Sequence, residues 1–280
     1  LPAAEIISGP DTSEEVLQYV THVMEHVFRR VVLRAADRPA YAGNRIGFKL
    51  LNEAAVLAIE HGVSLVDYVF GSYTGRLLAP LATIDLVGWD VHQAIVNNIY
   101  ENTADEANSS FLLPSYITKL VSQGVLGNKT PEKGGFFKTV DSQVLVLDPK
   151  SGDYIGASQP TVGSVEKTKE LIRVGEYRQA MEMILTGQDE IALVKRWLLG
   201  YISYAGMRSG EVSDMKGINR VLGWGFNWIP PDALADIIGV NRLREVLQQE
   251  NLPVPPHLAT HSTGNLYNEV DDVGRYLSAR

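Results

Sequence analysis

The first 35 residues combine two short apolar runs with one helical stripe. Ala3–Ile7 is a β-like run, and residues 31–33 predict a second strand. Between them Thr12 and Glu15 fit a capping box, after which apolar residues recur at helical spacing at Val16, Val20, Val23 and Val27. Such a strand–helix–strand unit cannot bury both faces of its sheet alone. We therefore expect it to be the last such unit of a larger sheet.

The pattern changes at the turn formed by residues 39–46. Pro39 fixes its own φ and disfavours helix at the preceding residue, and Gly43 permits a sharp bend before a long amphipathic helix that ends at Gly62. Asn44 stands at the start of that helix. Its residue type favours a helix cap, but an asparagine at this turn could also present its amide to a ligand between two domains.

Beyond residue 62 the pattern predicts mainly helices. Ser64 with Asp67, and Asp90, are expected to start two of them, and Gly124 is expected to end another over 111–123. Residues 139–164 indicate a hairpin or linker. Helices are expected to resume near residue 165 and to run to about 249, followed by an irregular tail from residue 253.

An internal repeat relates the two helical segments. Pro80, Asp85 and Gly88 recur 151 residues later as Pro231, Asp236 and Gly239. Upstream of these positions, Glu60-His61-Gly62 and Ser209-Gly210-Glu211 occupy matching places after a slip of a few residues. The repeat predicts two related helical domains in tandem.

Composition excludes several classes of protein. The 280 residues carry 33 acidic and 25 basic side chains, a net charge of −8 that argues against a nucleic-acid footprint or a polybasic membrane surface. No cysteine is present, which excludes disulfides, thiol catalysis and cysteine-ligated metals. The absence of cysteine suits the cytoplasm, where we expect the protein to be located. No apolar run approaches the ~18 residues of a spanning helix. Because the chain begins at Leu1 on a strand-like run, we expect a fragment of a longer protein.

Several motifs together resemble the 3-hydroxyacyl-CoA dehydrogenases. They occupy residues 4–13, 37–46, 51–54, 84–88, 124–130 and 135–137. The aromatic run 224–228, with Pro231 and Asp236, resembles the second helical repeat of long bacterial and archaeal forms. In those forms the dehydrogenase is often fused to an enoyl-CoA hydratase-like domain. The order and spacing of the motifs carry the resemblance, which extends to about residue 250.

The resemblance implies a mainly α fold. It consists of two tandem helical domains of the 6-phosphogluconate-dehydrogenase C-terminal-like type, preceded by a strand–helix–strand remnant of a Rossmann-like domain. The expected boundaries are 1–38 for the remnant of the NAD-binding domain, 39–138 for the first helical domain, 139–164 for a linker or hairpin, and 165–280 for the second repeat and tail.

The resemblance also implies a function, the NAD-dependent oxidation of 3-hydroxyacyl-CoA to 3-oxoacyl-CoA in fatty-acid β-oxidation. It makes Glu5 the carboxylate that orients a catalytic histidine and Asn44 the amide near the reacting oxygen. That histidine should precede Glu5, outside this chain, and no G-x-G-x-x-G fingerprint for NAD occurs in the sequence. We therefore expect NAD to be bound by a missing N-terminal domain and the isolated chain to be inactive. The alternative is a helical binding or oligomerisation module without catalysis.

Other signals are weaker. Lys129, in a glycine-containing turn, is a candidate contact for a CoA phosphate, with a solvated lysine as the alternative. His22 and His26 fit an H-x-x-E-H pattern, but no third ligand is evident and no metal is expected. The aromatic run 224–228 favours core packing over a ligand cage. Lys195 and Arg196 stand where the first repeat has Asn44 and Arg45, so the second repeat is expected to be non-catalytic.

The duplication itself predicts an assembly. Single-repeat relatives are implied by the family to dimerise through the helical domain, so a second copy can satisfy the same surface within one chain. We expect residues after about 185 to pack on 45–137 about a pseudo-twofold axis and the fragment to be monomeric. The apolar faces buried in this way should include Leu50, Leu57, Ile202 and Leu222.

Overall fold

The computed structural model describes residues 2–269 and 273–279; the outermost predicted boundaries, residues 1 and 280, lie outside them. In this part of the chain five strands form two small sheets, β1 Ala3–Ile7, β2 Val31–Ala35, β3 Phe137–Val140, β4 Gln143–Leu147 and β5 Tyr154–Gly156. The helices of the first half are α1 Glu14–His22, α2 Gly43–His61, α3 Val63–Val69, α4 Pro80–Val87, α5 Trp89–Asn102 and α6 Ser115–Ser122. Those of the second half are α7 Gly163–Arg173, α8 Tyr177–Thr186, α9 Ile191–Met207, α10 Met215–Arg220, α11 Pro231–Ile238, α12 Val240–Gln249 and α13 Pro256–Thr260. The predicted mainly helical fold is confirmed.

The N-terminal unit is a strand, a helix and a strand, as predicted. Strands β1 and β2 are parallel, with Glu5 opposite Leu33. The predicted capping box at Thr12 is wrong: Ser13 caps α1 by accepting from the Val16 amide, and the Thr12 hydroxyl instead accepts from the Gly9 amide. Ser13 is the cap because it lies directly before the first helical residue, where its hydroxyl reaches the amides of the first turn.

Helix α1 leaves its apolar side in water. None of its residues is buried, and Val16 and Val20 are exposed. The π-helical turn Val23–Val27 that follows is equally uncovered, with Val27 67% exposed. The unit therefore leaves the apolar surface of its helix uncovered, as expected for a two-stranded sheet with one helix.

Helix α2 begins the first helical repeat and ends, as predicted, at Gly62 with φ 79°. The predicted starts of the next helices are wrong. Helix α3 begins at Val63, and Asp67 within it caps α4 instead, accepting from the Leu81 and Ala82 amides at 2.8 and 2.9 Å. The N-cap of α5 is Gly88, and Asp90 follows it as the second residue of the helix. The structure thus caps α4 with a group from outside its own sequence neighbourhood.

The middle of the chain differs from the prediction in detail. The helix expected over 111–123 is split into the 3₁₀ turn Asn108–Phe111 and α6, because Pro114 separates them. The predicted hairpin is a three-stranded antiparallel sheet, in the order β3–β4–β5. The tail expected to be irregular contains α13, which starts at Pro256, and the 3₁₀ turn Val273–Tyr276, because these turns bury Leu258 and Tyr276.

The second repeat, α7 to α13, packs on the first within one continuous core. The Trp197 indole donates to the Leu50 carbonyl at 3.1 Å, and Arg76 pairs with Trp228 in an antiparallel bridge. An offset of 151 makes Asn227 the counterpart of Arg76, so the bridge joins nearly equivalent positions, as a pseudo-twofold axis requires. Leu50, Ile202 and Leu222 are buried and Leu57 is partly buried against this core. That they form the interface between the repeats stays a prediction.

Candidate functional site

The turn before α2 is built differently from the prediction. Ala40 and Tyr41 hold the left-handed conformation, with φ 61° and 55°, whereas Gly43 is the first helical residue of α2 and has no positive φ. Glycine is required at 43 for space: a Cβ there would lie 2.7 Å from Cγ2 of Val221 and 2.9 Å from Oε1 of Glu5. The bend is therefore made by two non-glycine residues, and Gly43 allows Glu5 and the second repeat to approach closely.

Glu5 supplies the cap of α2 from the neighbouring strand. Its Oε2 accepts from the Ala42 amide at 2.9 Å and its Oε1 from the Gly43 amide at 3.3 Å. A carboxylate at a helix N-terminus satisfies free N–H groups and complements the helix dipole. Burial raises the pKa of Glu5, and the two backbone hydrogen bonds oppose that rise without cancelling it. The strand β1 thus delivers a partly dehydrated carboxylate to the start of α2.

Asn44 is the second residue of α2 and is half-buried. The interpretation of Asn44 as a helix cap is wrong, because the N-cap is Ala42 and no side chain of α2 caps it. Among the described residues the Asn44 amide has no hydrogen-bond partner. It borders a depression of about 520 Å³ between the turn and α5, lined by Asp37, Arg38, Pro39, Ala40, Tyr41, Asn44, Ile95, Asn98 and Asn102. Glu5 and Asn44 therefore both lie at the start of α2, and the Asn44 amide is available to a ligand.

Arg45 is buried beside this site and ties α2 to the second repeat. Its Nη2 lies 2.5 Å from Oδ2 of Asp105, and its Nε donates to the Tyr204 hydroxyl at 2.7 Å. Arg208 also reaches Asp105, at 2.9 Å. Burial would raise the pKa of Asp105, but the hydrogen bonds from Arg45 and Tyr204 hold it below its ordinary value. The sequence analysis did not select Asp105 or Arg208, because neither belongs to a recognisable motif and a charged side chain alone does not indicate a buried ion pair.

The other candidate residues lie apart from this helix end. Lys129, on the 3₁₀ turn Gly127–Lys129, forms an ion pair with Asp90 at 2.7 Å and packs against Gly88. No described contact joins it to Glu5 or Asn44. Lys195 pairs with Glu250, and Arg196 is 68% exposed. At the offset of 151 Lys195 thus stands in place of Asn44, so the second repeat has a cation where the first has an amide.

The remaining motifs serve packing or the surface. The rings of His22 and His26 stack on an exposed turn, and no group of three metal-ligating side chains occurs within residues 2–269 and 273–279. Trp228 is buried, with Phe226 against its edge at 5.1 Å, in agreement with the core-packing interpretation; Trp224 stacks on Arg275. None of the described helices combines the length and the apolar character needed to cross a membrane.

Known proteins share both the sequence and the fold. Residues 41–138 match the family model described as 3-hydroxyacyl-CoA dehydrogenase, C-terminal domain. A "Probable 3-hydroxyacyl-CoA dehydrogenase" of Bacillus subtilis is 26% identical over 270 residues, which are 91% of this chain and 32% of that protein. A 3-hydroxybutyryl-CoA dehydrogenase of Clostridioides difficile is 30% identical over 135 residues, 48% of this chain and 46% of that protein. The chain therefore spans a third to a half of the length of these relatives.

A solved structure agrees at the level of fold. The 3-hydroxybutyryl-CoA dehydrogenase from Escherichia coli superposes with a TM-score of 0.59 at 17% identity, covering 89% of this chain and 64% of that one. At this identity the superposition shows that the two chains share a fold. Residues 41–138 thus belong to the 3-hydroxyacyl-CoA dehydrogenase family as its C-terminal domain, as the motifs predict.

Proposed function

We propose that this chain forms the substrate side of an NAD-dependent 3-hydroxyacyl-CoA dehydrogenase of fatty-acid β-oxidation, acting within a longer cytoplasmic protein. The observation that carries the proposal is the meeting of Glu5 and Asn44 at the start of α2, where the Asn44 amide has no partner among the described residues and borders a depression. A family match over 41–138 supports it. The substrate class is acyl-CoA.

The two side chains have complementary roles in this proposal. The Asn44 amide donates a hydrogen bond to the oxygen on carbon 3, where charge develops as the hydroxyl proton leaves. An imidazole from a segment preceding β1 accepts that proton as general base. Glu5 holds the other ring nitrogen and stabilises the imidazolium. Its Oε1 can do so because the bond to Gly43 is long, at 3.3 Å, and a carboxylate oxygen has a second lone pair.

The residues described do not fit the NAD cofactor. At the start of α1 the Ser13 hydroxyl accepts from the Val16 amide, and just before it the Thr12 hydroxyl accepts from the Gly9 amide. These amides are therefore already occupied. The connection from β1 to α1 also lacks the glycine pattern that lets a pyrophosphate approach the backbone. We therefore derive no step through NAD in this chain. Lys129 remains a candidate for a CoA phosphate, which would have to compete with Asp90.

The test uses the longer protein that contains this chain and its preceding segment. Oxidation of 3-hydroxybutyryl-CoA is followed by NADH absorbance in wild type, in Asn44→Ala and in Asn241→Ala, a matched change at an exposed asparagine of α12. Loss of an oxyanion-type donor should lower kcat by roughly 10²-fold or more in Asn44→Ala alone. Near-normal turnover of folded Asn44→Ala would remove the proposed role of Asn44.

One observation favours a second candidate, a helical binding or oligomerisation module without catalysis. Both oxygens of Glu5 already accept backbone hydrogen bonds, so its role could be only to cap α2. Glu5→Gln separates the two. A cap alone predicts a stability loss of about 1 kcal/mol with normal turnover. The dehydrogenase predicts a fall in kcat that exceeds the change in KM, because the imidazole becomes charged only during reaction.

A further inference from the structure

The second repeat holds the strand–helix–strand unit against the first. The Ala36 amide donates to the Val212 carbonyl at 2.8 Å, directly after β2. The Ser213 hydroxyl donates to the Arg34 carbonyl at 2.7 Å, and the Arg220 guanidinium to the Val32 carbonyl at 3.2 Å. Segment 212–220 of the second repeat thus runs beside β2 and fixes where the sheet lies.

The next residues of the same segment lie at the start of α2, where Glu5 also binds. Val221 and Phe226, at the ends of a π-helical turn, flank the glycine face of α2. A Cβ on Gly43 would lie 2.7 Å from Cγ2 of Val221, 2.9 Å from Oε1 of Glu5 and 3.0 Å from Cε2 of Phe226. A methyl group, a carboxylate and a ring edge therefore converge on one point at the start of α2.

The segment that carries Val221 and Phe226 is also bound to the first repeat. The Ile229 amide donates to the Gly75 carbonyl at 2.8 Å, and the ring of Phe226 rests against the buried Trp228 at 5.1 Å. Glu5 has no ion-pair partner within the described residues, where its polar contacts are the two amides of α2. Its position therefore depends on these two hydrogen bonds and on the apolar side chains that exclude water from them.

We propose that the second repeat is a positioning element of the candidate site: Val221 and Phe226 hold the Glu5 carboxylate on the amides of Ala42 and Gly43, beside Asn44. The importance of this position for catalysis rests on the function proposed above. The second repeat has Lys195 and Arg196 in place of Asn44 and Arg45. It still contributes in this way to the candidate site on the first repeat.

The test needs no substrate and uses this chain with isotopic labels. Hydrogen exchange of the Gly43 amide and the carboxyl titration of Glu5 are measured by NMR in wild type, Phe226→Ala, Phe226→Leu and Val221→Ala. The matched control is Leu247→Ala, a buried residue of α12. Phe226→Ala should admit water, speed exchange at Gly43 by roughly tenfold and shift the titration of Glu5 toward its ordinary range. Phe226→Leu should restore most of both.

The control variant and the test variants should give different results. Leu247→Ala should lower the melting temperature while leaving both Glu5 readouts as in wild type. The proposal is overturned if folded Phe226→Ala retains wild-type exchange and titration, or if Leu247→Ala changes them equally. Should Phe226→Ala fail to fold, Val221→Ala decides, because it removes only methyl groups beside Gly43 and must still accelerate exchange at that residue.

Kinetics of the longer protein then separate this inference from the proposed function. Phe226→Ala should lower kcat more than it raises KM, and Phe226→Leu should recover kcat. If the NMR readouts change while wild type has no dehydrogenase activity, the positioning holds and the proposed function fails. If activity is present and the NMR readouts do not change, the function holds and the positioning role is wrong.

Discussion

Asp85 and Asp236 perform the same structural task in the two halves of the chain. Asp85 accepts from the Phe136 and Phe137 amides, each at 2.9 Å. Asp236 accepts from the Leu266 and Tyr267 amides, also at 2.9 Å. Each carboxylate lies near the end of a helix that starts with proline and is followed by glycine with positive φ, and each fastens a returning segment. The repeat read from the sequence therefore marks an equivalent tertiary contact.

The two aspartates should differ in how much they stabilise the fold. Asp85 is buried and also accepts from the Trp89 indole at 2.6 Å, whereas Asp236 is only half-buried. Leaving buried donors unpaired costs about 1–3 kcal/mol per group. Asp85→Ala leaves one more donor unpaired, so we expect it to lower the free energy of unfolding by about 1–3 kcal/mol more than Asp236→Ala does. Urea unfolding measures both, and equal losses would contradict the prediction.

Arg76 should tolerate loss of its charge. It is buried between the repeats, its guanidinium lies 3.7 Å from the Trp197 ring centroid and 4.6 Å from that of Trp228, and no described carboxylate pairs with it. Burial lowers its pKa to about 9. An apolar residue of similar length avoids this desolvation, so Arg76→Met should unfold within about 1 kcal/mol of wild type or be more stable.

Arg76→Lys is the matched comparison. A lysine keeps the charge but loses the planar group that stacks on the two indoles, and its ammonium is more strongly hydrated. It should be less stable than Arg76→Met, as judged by thermal unfolding. The opposite order would show that the charge at position 76 stabilises the contact between the repeats.

The burial of His92 should make the fold less stable in acid. It is fully buried, stacks on Phe48 and lies 3.3 Å from Oδ1 of Asn52; burial lowers its pKa to about 3. The unfolded chain, with an ordinary pKa near 6.5, binds a proton below that pH while the native state does not until about pH 3. Its contribution to stability is thus complete above pH 6.5 and falls as the pH drops toward 3.

The size of that effect can be isolated with His92→Gln, which keeps a side-chain donor for Asn52. Between pH 7 and pH 5 the wild type should lose about 2 kcal/mol more unfolding free energy than the variant, from 1.36 kcal/mol for each pH unit below the unfolded pKa. Urea midpoints at the two pH values provide the measurement. Parallel losses in both proteins would mean that His92 is protonated in the native state.

Separating the repeats should expose their shared surface. The buried contacts between Leu50 on α2 and Trp197 on α9 would face water in a chain that ends near residue 140. We expect that piece to self-associate or precipitate, whereas the full chain stays monomeric. Light scattering checks both. A soluble monomeric piece, or a full chain that dimerises through its first repeat, would contradict the internal pseudo-dimer.

Local patterns predicted the helices well and their caps poorly. The stripe of α2 and its end at Gly62 follow from side-chain spacing and from the need for positive φ at that residue. The groups that close α2 and α4 are Glu5 and Asp67, which lie 37 and 14 residues away from the amides they accept. Only the tertiary fold brings them there, so local motifs at Thr12, Ser64 and Asp90 indicated the wrong caps.

The candidate site was predicted only in part for the same reason. Family motifs selected Glu5 and Asn44, and the structure brings both to one helix end. The role of Gly43 could not be read from its neighbours, because the atoms that require glycine there belong to Val221 and Phe226. Likewise, the turn is bent by Ala40 and Tyr41, whose residue types do not signal positive φ.

The fit between Gly47 and Phe226 gives the two halves a means of recognising each other. A Cβ on Gly47 would lie 2.5 Å from Cε1 of Phe226, so alanine at 47 would displace the ring. A smaller side chain at 226 would make room for that alanine again. A first half with alanine at 47 would therefore prefer a second half with the smaller side chain at 226, so this contact could be used to engineer halves that each assemble with one chosen partner.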